Sequence, residues 1–290
     1  MKLLMKKQGV LTAVRGLTEQ ESKQYEEDLE EMVRFEEYLL LIGFVKTNHL
    51  ELEREIAGIL SELYVSEGHQ PYPQGVTARS NLRLLNFLGA MRLFLDHTNF
   101  RLSRTYGKGS PEHSVFRKKT REVYSGSCAY RFLYRMRNFA QHCGLPIGHV
   151  GVTSSVDEQD TKRKEHRFQV VVRPHELLSK DRGAWGSEVA AELEQGPTQL
   201  ELIPLVREVS SGLSEIHRTV AKAIQPKAQE AAGRVDALLD EGRRAGGEVV
   251  AVGEIDERGN EGKFHMHILE PPGDMMEFLG FPGHRRMVRR

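Results

Sequence analysis

The sequence predicts a mostly α-helical protein with α+β additions: an N-terminal antiparallel four-helix bundle, followed by β-hairpins and two further helices. Three observations carry this. Apolar residues recur at three- and four-residue spacing through residues 18–143, the period of an amphipathic helix. The breaks between these stretches are short, as antiparallel neighbours require. After Pro146 the composition turns to β-formers flanking turn-rich connectors. Residues 1–146 are therefore read as a helical bundle and 147–290 as a mixed α/β region, either separate or packed on the bundle as one domain.

Thr18-Glu19-Gln20-Glu21 has the form of a capping box, and Leu29, Met32, Val33, Glu36, Leu39 and Leu40 follow near-helical spacing up to Phe44. Asn48 is placed to cap a second helix, whose stripe of Leu50, Ile56, Ile59, Leu60 and Leu63 runs to Tyr64. Prolines and glycines mark residues 68–75 as a loop. A third helix begins near Thr77 or Ser80, with Leu84, Leu88, Met91 and Leu95 as its buried stripe and Leu102 extending it. Ser110 is the cap and Pro111 the first helical residue of a fourth helix running to His142. Gly144 can take the left-handed conformation that closes a helix and Pro146 cannot continue one, so this end is marked twice.

Residues 147–156 and 167–173 read as a hairpin around the charged tip 157–164. Two helices are expected over 200–224 and 225–241, with Pro226 opening the second and Gly246-Gly247 ending it. A second hairpin, 249–255 with 263–269, encloses the connector 256–260. Residues 272–290 follow two prolines and are expected to add little core.

Lys and Arg number 41, as do Asp and Glu, so no overall field draws the chain to nucleic acid and any such binding is local. Two clusters offer it: Arg117-Lys118-Lys119 with Arg121, and His284-Arg285-Arg286 with Arg289-Arg290. The longest apolar run, 38–45, is far short of a membrane span, and residues 1–7 lack the apolar length and cleavage site of a signal peptide. Cys128 and Cys143 read as core thiols, which fits a reducing compartment. A cytoplasmic protein without membrane association is expected. No phosphate loop and no dinucleotide-binding turn occurs, and no cofactor is expected. His265 and His267 share a strand face but lack a third ligand at a recognisable spacing, so they read as solvated histidines of an edge strand and no metal is assigned.

The chemistry concentrates in residues 130–146. Tyr130, Tyr134, Asn138 and His142 recur every four residues and share one face, with Arg137 beside them. An imidazole that moves a proton near neutral pH, next to a permanently charged guanidinium, is the minimal equipment for acting on a phosphate. A histidine in a last helical turn is equally a simple cap for free carbonyls. In an up-and-down bundle Arg79 and Arg83 fall at the end of the third helix nearest this cluster and are candidates for extra positive charge, while Tyr134 and Gln141 are candidates to line the substrate. Asp96 belongs to the opposite end and is left out.

Arg137-Asn138, three intervening residues and His142 resemble the Arg-X4-6-His signature of the HEPN superfamily, small helical bundles that include many ribonucleases of toxin and antiphage systems. The likeness concerns residues 18–146 and places the motif at the end of the last of four helices. It implies a metal-independent endoribonuclease acting on RNA. Arg137 would hold the scissile phosphate, His142 would move a proton, and Asn138 would hold the imidazole or a phosphate oxygen. It also implies a homodimer that brings two His142 side chains into one cleft, and a neutralising or sensor partner protein. A non-catalytic adaptor or dimerisation module is the alternative. The tyrosine that some members carry two residues after the histidine, as a modification site, is Gly144 here.

Overall fold

The computed structural model describes residues 1–65, 75–156, 164–256 and 265–282. The loop 66–74, most of the charged tip at 157–163, most of the second connector at 257–264 and the basic C-terminal cluster lie outside the described residues. The chain begins with a hairpin, β1 (Lys2–Lys7) and β2 (Val10–Gly16). Four helices follow: α1 (Glu19–Val65), α2 (Val76–Thr105), α3 (Pro111–Gly126) and α4 (Cys128–His142). Next come β3 (His149–Val156), β4 (Lys164–Val172), α5 (Pro174–Lys180), a 3-10 turn at Gly183–Trp185, α6 (Gly186–Gln195), β5 (Leu200–Glu201) and α7 (Leu202–Arg244). A third hairpin, β6 (Val249–Asp256) with β7 (His265–Leu269), and the short α8 (Gly273–Phe278) complete the described elements. The chain is mostly helical with small antiparallel sheets, and none of the helices searched is long and apolar enough to cross a membrane among the described residues.

Two compact units divide it: Met1–Leu39 with Ala221–Arg290, and Leu40–Val220. The expected boundary after residue 146 lies inside the second.

In the first unit the strand order is β2-β1-β6-β7, so the N-terminal strand pairs with the C-terminal hairpin. The β1–β2 hairpin was not expected. Its two-residue loop, Gln8-Gly9, has φ of 49° and 81°, the all-positive turn that matches the right-handed twist of paired strands. The capping box is formed as read: Glu21 N–H donates to Thr18 Oγ1 (3.2 Å) and Thr18 N–H to the Glu21 carboxylate (2.8 Å). Arg15 bridges Glu21 and Glu241, which holds the Glu21 carboxyl far below the usual range, at about 2. Residues after 272 contribute more core than expected, because Met275, Met276 and Leu279 are buried and Phe278 meets Phe35 at 6.2 Å.

The first two expected helices are one. Asn48 does not cap; its amide donates back to the Phe44 carbonyl at 2.8 Å. The buried stripe runs Tyr25, Asp28, Met32, Phe35, Tyr38, Ile42, Val45, Leu52, Ile56 and Ile59, in three- and four-residue steps, with the half-buried His49 carrying the same face between Val45 and Leu52. Val33, Leu40 and Leu50, expected inside, are exposed.

In the second unit α2 is central. Its Arg79 and Arg83 pair with α1, Phe87 meets His49 of α1, and Phe94 meets His217 of α7. Asn99 bonds His113 of α3, and Arg92 bonds Tyr134 of α4. Leu84, Leu88, Met91, Leu95 and Leu102 are buried as expected. Ser110 caps α3 as expected, accepting from His113 N–H at 3.2 Å.

The fourth expected helix is two, parted at Ser127, which has extended dihedrals and accepts from Tyr130 N–H at 2.9 Å. Arg131 secures the break. Its guanidinium donates to the Tyr124 and Ser125 carbonyls, each at 2.8 Å, and thereby satisfies the end of α3 from within α4. The β3–β4 hairpin is formed as read, with β5 added beside β4. The two helices expected around Pro226 are the single α7, in which Pro226 is exposed and the buried stripe Val206, Val209, Leu213, Ile216, Val220, Ile224, Ala228, Ala231 and Val235 is continuous.

Candidate functional site

Helix α4 carries the motif and is held by the 3-10 turn and by α6. Phe132 and Phe139 pack on the fully buried Trp185 of the 3-10 turn at 5.3 and 5.2 Å. Glu192 of α6 pairs with Arg131. Beyond the helix, Gly144 (φ 145°) turns the chain out, and its N–H joins that of Cys143 on the Phe139 carbonyl. The segment that follows is fixed by Asn81 of α2. Asn81 Nδ2 donates to the Ile147 carbonyl (2.8 Å) and Ile147 N–H donates to Asn81 Oδ1 (3.0 Å), both buried. This places the start of α2 beside the chain leaving the motif, as the up-and-down argument required.

His142 is exposed and, among the described residues, makes no hydrogen bond or ion pair. It therefore caps no carbonyl of α4. Arg137 Nη1 donates to Asn138 Oδ1 at 3.3 Å, so Asn138 steadies the guanidinium rather than the imidazole. Gln141 is exposed. Arg79 and Arg83 are not available as free charge: Arg79 binds Glu55 (2.6 Å) and Glu62 (2.8 Å), Arg83 binds Glu51 (2.8 Å), and Arg79 holds the Glu62 carboxyl below its ordinary range. Sequence position placed them at the correct end of α2 but gave no view of the acids on α1 that neutralise them.

Tyr134 faces elsewhere. It lines a cavity of about 430 Å³ between α2, α3 and the first half of α4. Arg92 and Asp96 contribute from α2, with Arg92 bound to both Asp96 (2.7 Å) and the Tyr134 hydroxyl and lying 5.4 Å over the Tyr134 ring. Arg117, Thr120, Arg121 and Tyr124 line it from α3. Tyr124 stands edge-on to Tyr130 and Tyr134 at 6.2 and 6.1 Å, and those two rings stack at 6.5 Å. Two features mark the cavity chemically. Three arginines face one aspartate, and Arg117 and Arg121 are exposed with no ion pair among the described residues. The hydroxyls of Thr120 and Tyr130 are buried without a hydrogen-bond partner, which native interiors seldom tolerate. Burial, and then Tyr134, push the Tyr130 phenol well up, so it keeps its proton and is a donor.

Asp96, expected at the end of the bundle opposite the motif, lines this cavity. The available sequence signal for it was Arg117, Arg121 and Tyr124 at positions i, i+4 and i+7 of one helix face.

The cysteines are not core thiols. Cys128 is exposed and Cys143 half-buried, its Sγ donating to Asp181 at 3.3 Å. β7 is an edge strand and His267 is exposed on it; among the described residues no three His, Cys, Asp or Glu side chains gather as metal ligands would. Comparison with family models, with curated proteins and with solved structures returned no match.

Proposed function

We propose that the chain is a metal-independent endoribonuclease of the HEPN type, acting on RNA as a homodimer in a toxin or antiphage-defence setting and answering to a neutralising or sensor partner protein. In this reading α1, α2 and the α3–α4 pair stand for the bundle that carries the motif. The observation that carries it is the accessible, unpartnered His142 in the last turn of α4, one turn beyond an Arg137 steadied by Asn138. His142 takes the proton of a ribose 2′-hydroxyl as that oxygen bonds to phosphorus. The bond to the 5′-oxygen breaks, and the His142 of the second protomer returns a proton to it. Arg137 holds the phosphate and the charge that grows on its non-bridging oxygens. The products are a 2′,3′-cyclic phosphate and a 5′-hydroxyl.

RNA cleavage by the purified full chain should survive chelator and yield the cyclic phosphate. His142→Ala should lower the rate by roughly a hundred- to ten-thousand-fold with circular dichroism unchanged. Arg137→Ala should do nearly as much damage, and Arg137→Lys should rescue poorly because a point charge cannot replace a planar fork. Cleavage at full rate in His142→Ala, or lost on adding chelator, refutes the mechanism.

A second reading, a non-catalytic adaptor, is favoured by a different observation. Leu82, Leu93 and Phe100 are exposed on one face of α2, and apolar stripes of this kind mark protein contacts. Absence of any cleavage by a protein that still captures a partner through this face would put the adaptor first.

A further inference from the structure

We propose that Arg135 binds the RNA strand at a phosphate beside the scissile one, a role that rests on the ribonuclease reading and is separate from that of Arg137. Among the described residues Arg135 makes no hydrogen bond or ion pair, although it is half-buried and its Nε is wholly covered. Arg131, one turn earlier on α4, is fully engaged, since Glu192 and the carbonyls of Tyr124 and Ser125 take its donors. A guanidinium drawn partly out of water costs free energy until acceptors or an anion meet it. Arg135 has neither, yet its position is fixed. It lies against the backbone of Gly186, so close that a Cβ on that residue would stand 3.1 Å from Nη2, and the φ of 70° there also favours glycine.

This free charge lies on the face that carries the proton-transfer group. Helical spacing sets Arg135, Asn138 and His142 at i, i+3 and i+7 of α4. Arg137 comes to that face from beside it, through its 3.3 Å bond to Asn138. Two turns of helix, about 10 Å, separate Arg135 from His142, and their long side chains bring neighbouring phosphates of a strand lying along this face within reach of both ends. Arginine suits the task because its planar fork spans two phosphate oxygens. The substrate class that follows is a strand with a second phosphate beside the cut, in preference to an isolated dinucleotide.

Fluorescence anisotropy of the full chain with a short single-stranded 2′-O-methyl RNA, which keeps the phosphates and lacks the attacking hydroxyl, tests the contact without cleavage. Arg135→Ala should weaken binding about tenfold, the loss of one charge-assisted contact. It should also lower the slope of log K against log salt by about 0.7, the share of one single-strand phosphate. Arg135→Lys should restore the slope but only part of the affinity. The melting temperature of Arg135→Ala should stay unchanged or rise, because an uncompensated guanidinium leaves a half-buried place. A purely structural arginine would do the opposite, lowering the melting temperature and leaving the slope alone. In cleavage, Arg135→Ala should raise KM far more than it lowers kcat, and the KM effect should shrink on a dinucleoside monophosphate, which has only the scissile phosphate. An unchanged slope in the folded Arg135→Ala protein, or no binding of the oligonucleotide by the full chain, overturns the proposal. Arg135-dependent binding with no cleavage of RNA refutes the ribonuclease reading and leaves the contact standing, whereas cleavage at an unaltered KM in Arg135→Ala does the reverse.

Discussion

At the scale of single residues, much of what fixes the motif is one amide. Asn81 is almost wholly buried and satisfies both backbone groups of Ile147, five residues past His142. Asn81→Ala leaves a buried N–H and a buried C=O without partners, at a cost on the order of 3 kcal/mol. Urea unfolding should show that loss, and the Ile147 amide should exchange with solvent far faster. An unchanged midpoint would mean that water or a rearranged backbone replaces the asparagine. Local residue chemistry was the most legible part of the sequence: Thr18 and Ser110 cap as their spacing predicts, and Gly144 turns the chain where the motif ends. The pairing of Arg79 and Arg83 was not legible, because their partners Glu51, Glu55 and Glu62 lie more than a dozen residues away and only α1–α2 packing brings them near. The cavity escaped for the same reason, being assembled from three helices with no contiguous motif.

At the scale of elements, breaks were misplaced where a local signal competed with a longer period. Asn48 and Pro226 are strong local punctuation, yet α1 and α7 run through both because the three- and four-residue alternation of buried side chains continues across them. The opposite error occurred at Ser127. Ser125-Gly126-Ser127 is a short turn signal inside a long apolar period, and the break it makes is stabilised by Arg131, whose role depends on its reaching back to the carbonyls of α3. The N-terminal hairpin was missed because Gln8-Gly9 is an unusual pair for a turn with positive φ at both positions, where asparagine or aspartate commonly precedes the glycine. Pro226 gives a direct test. It removes a donor from the interior of α7 while its ring sits on the solvent side. Pro226→Ala should raise the unfolding free energy by up to about 3 kcal/mol, read as a higher midpoint in chemical denaturation. A lower midpoint would show that a bend at this position is needed by the packing on either side.

At the scale of the whole molecule, the chain's two ends belong to one compact unit. β1 pairs with β6, and Tyr25 of α1 donates to the Leu269 carbonyl at the end of β7 at 2.8 Å. The tail therefore cannot be a detachable appendage. Met275, Met276 and Leu279 are buried in the same unit, and at roughly 2 kcal/mol for each large apolar side chain their loss amounts to about 6 kcal/mol. That is comparable to the entire stability of many domains. Truncation before Pro272 should therefore melt the unit made of residues 1–39 and 221–290. The unit at 40–220 has its own core, with Leu84, Phe87, Phe94, Leu133, Met136 and Phe139 buried around α2 and α4, and should remain folded. Hydrogen exchange on the truncated chain reads both at once. Protection should vanish from residues 2–7, 10–16 and 249–256, and persist in α2 and α4. Loss of protection throughout would mean that the two units fold as a single cooperative body, whereas protection retained in the N-terminal hairpin would show that the α8 segment contributes little to the sheet.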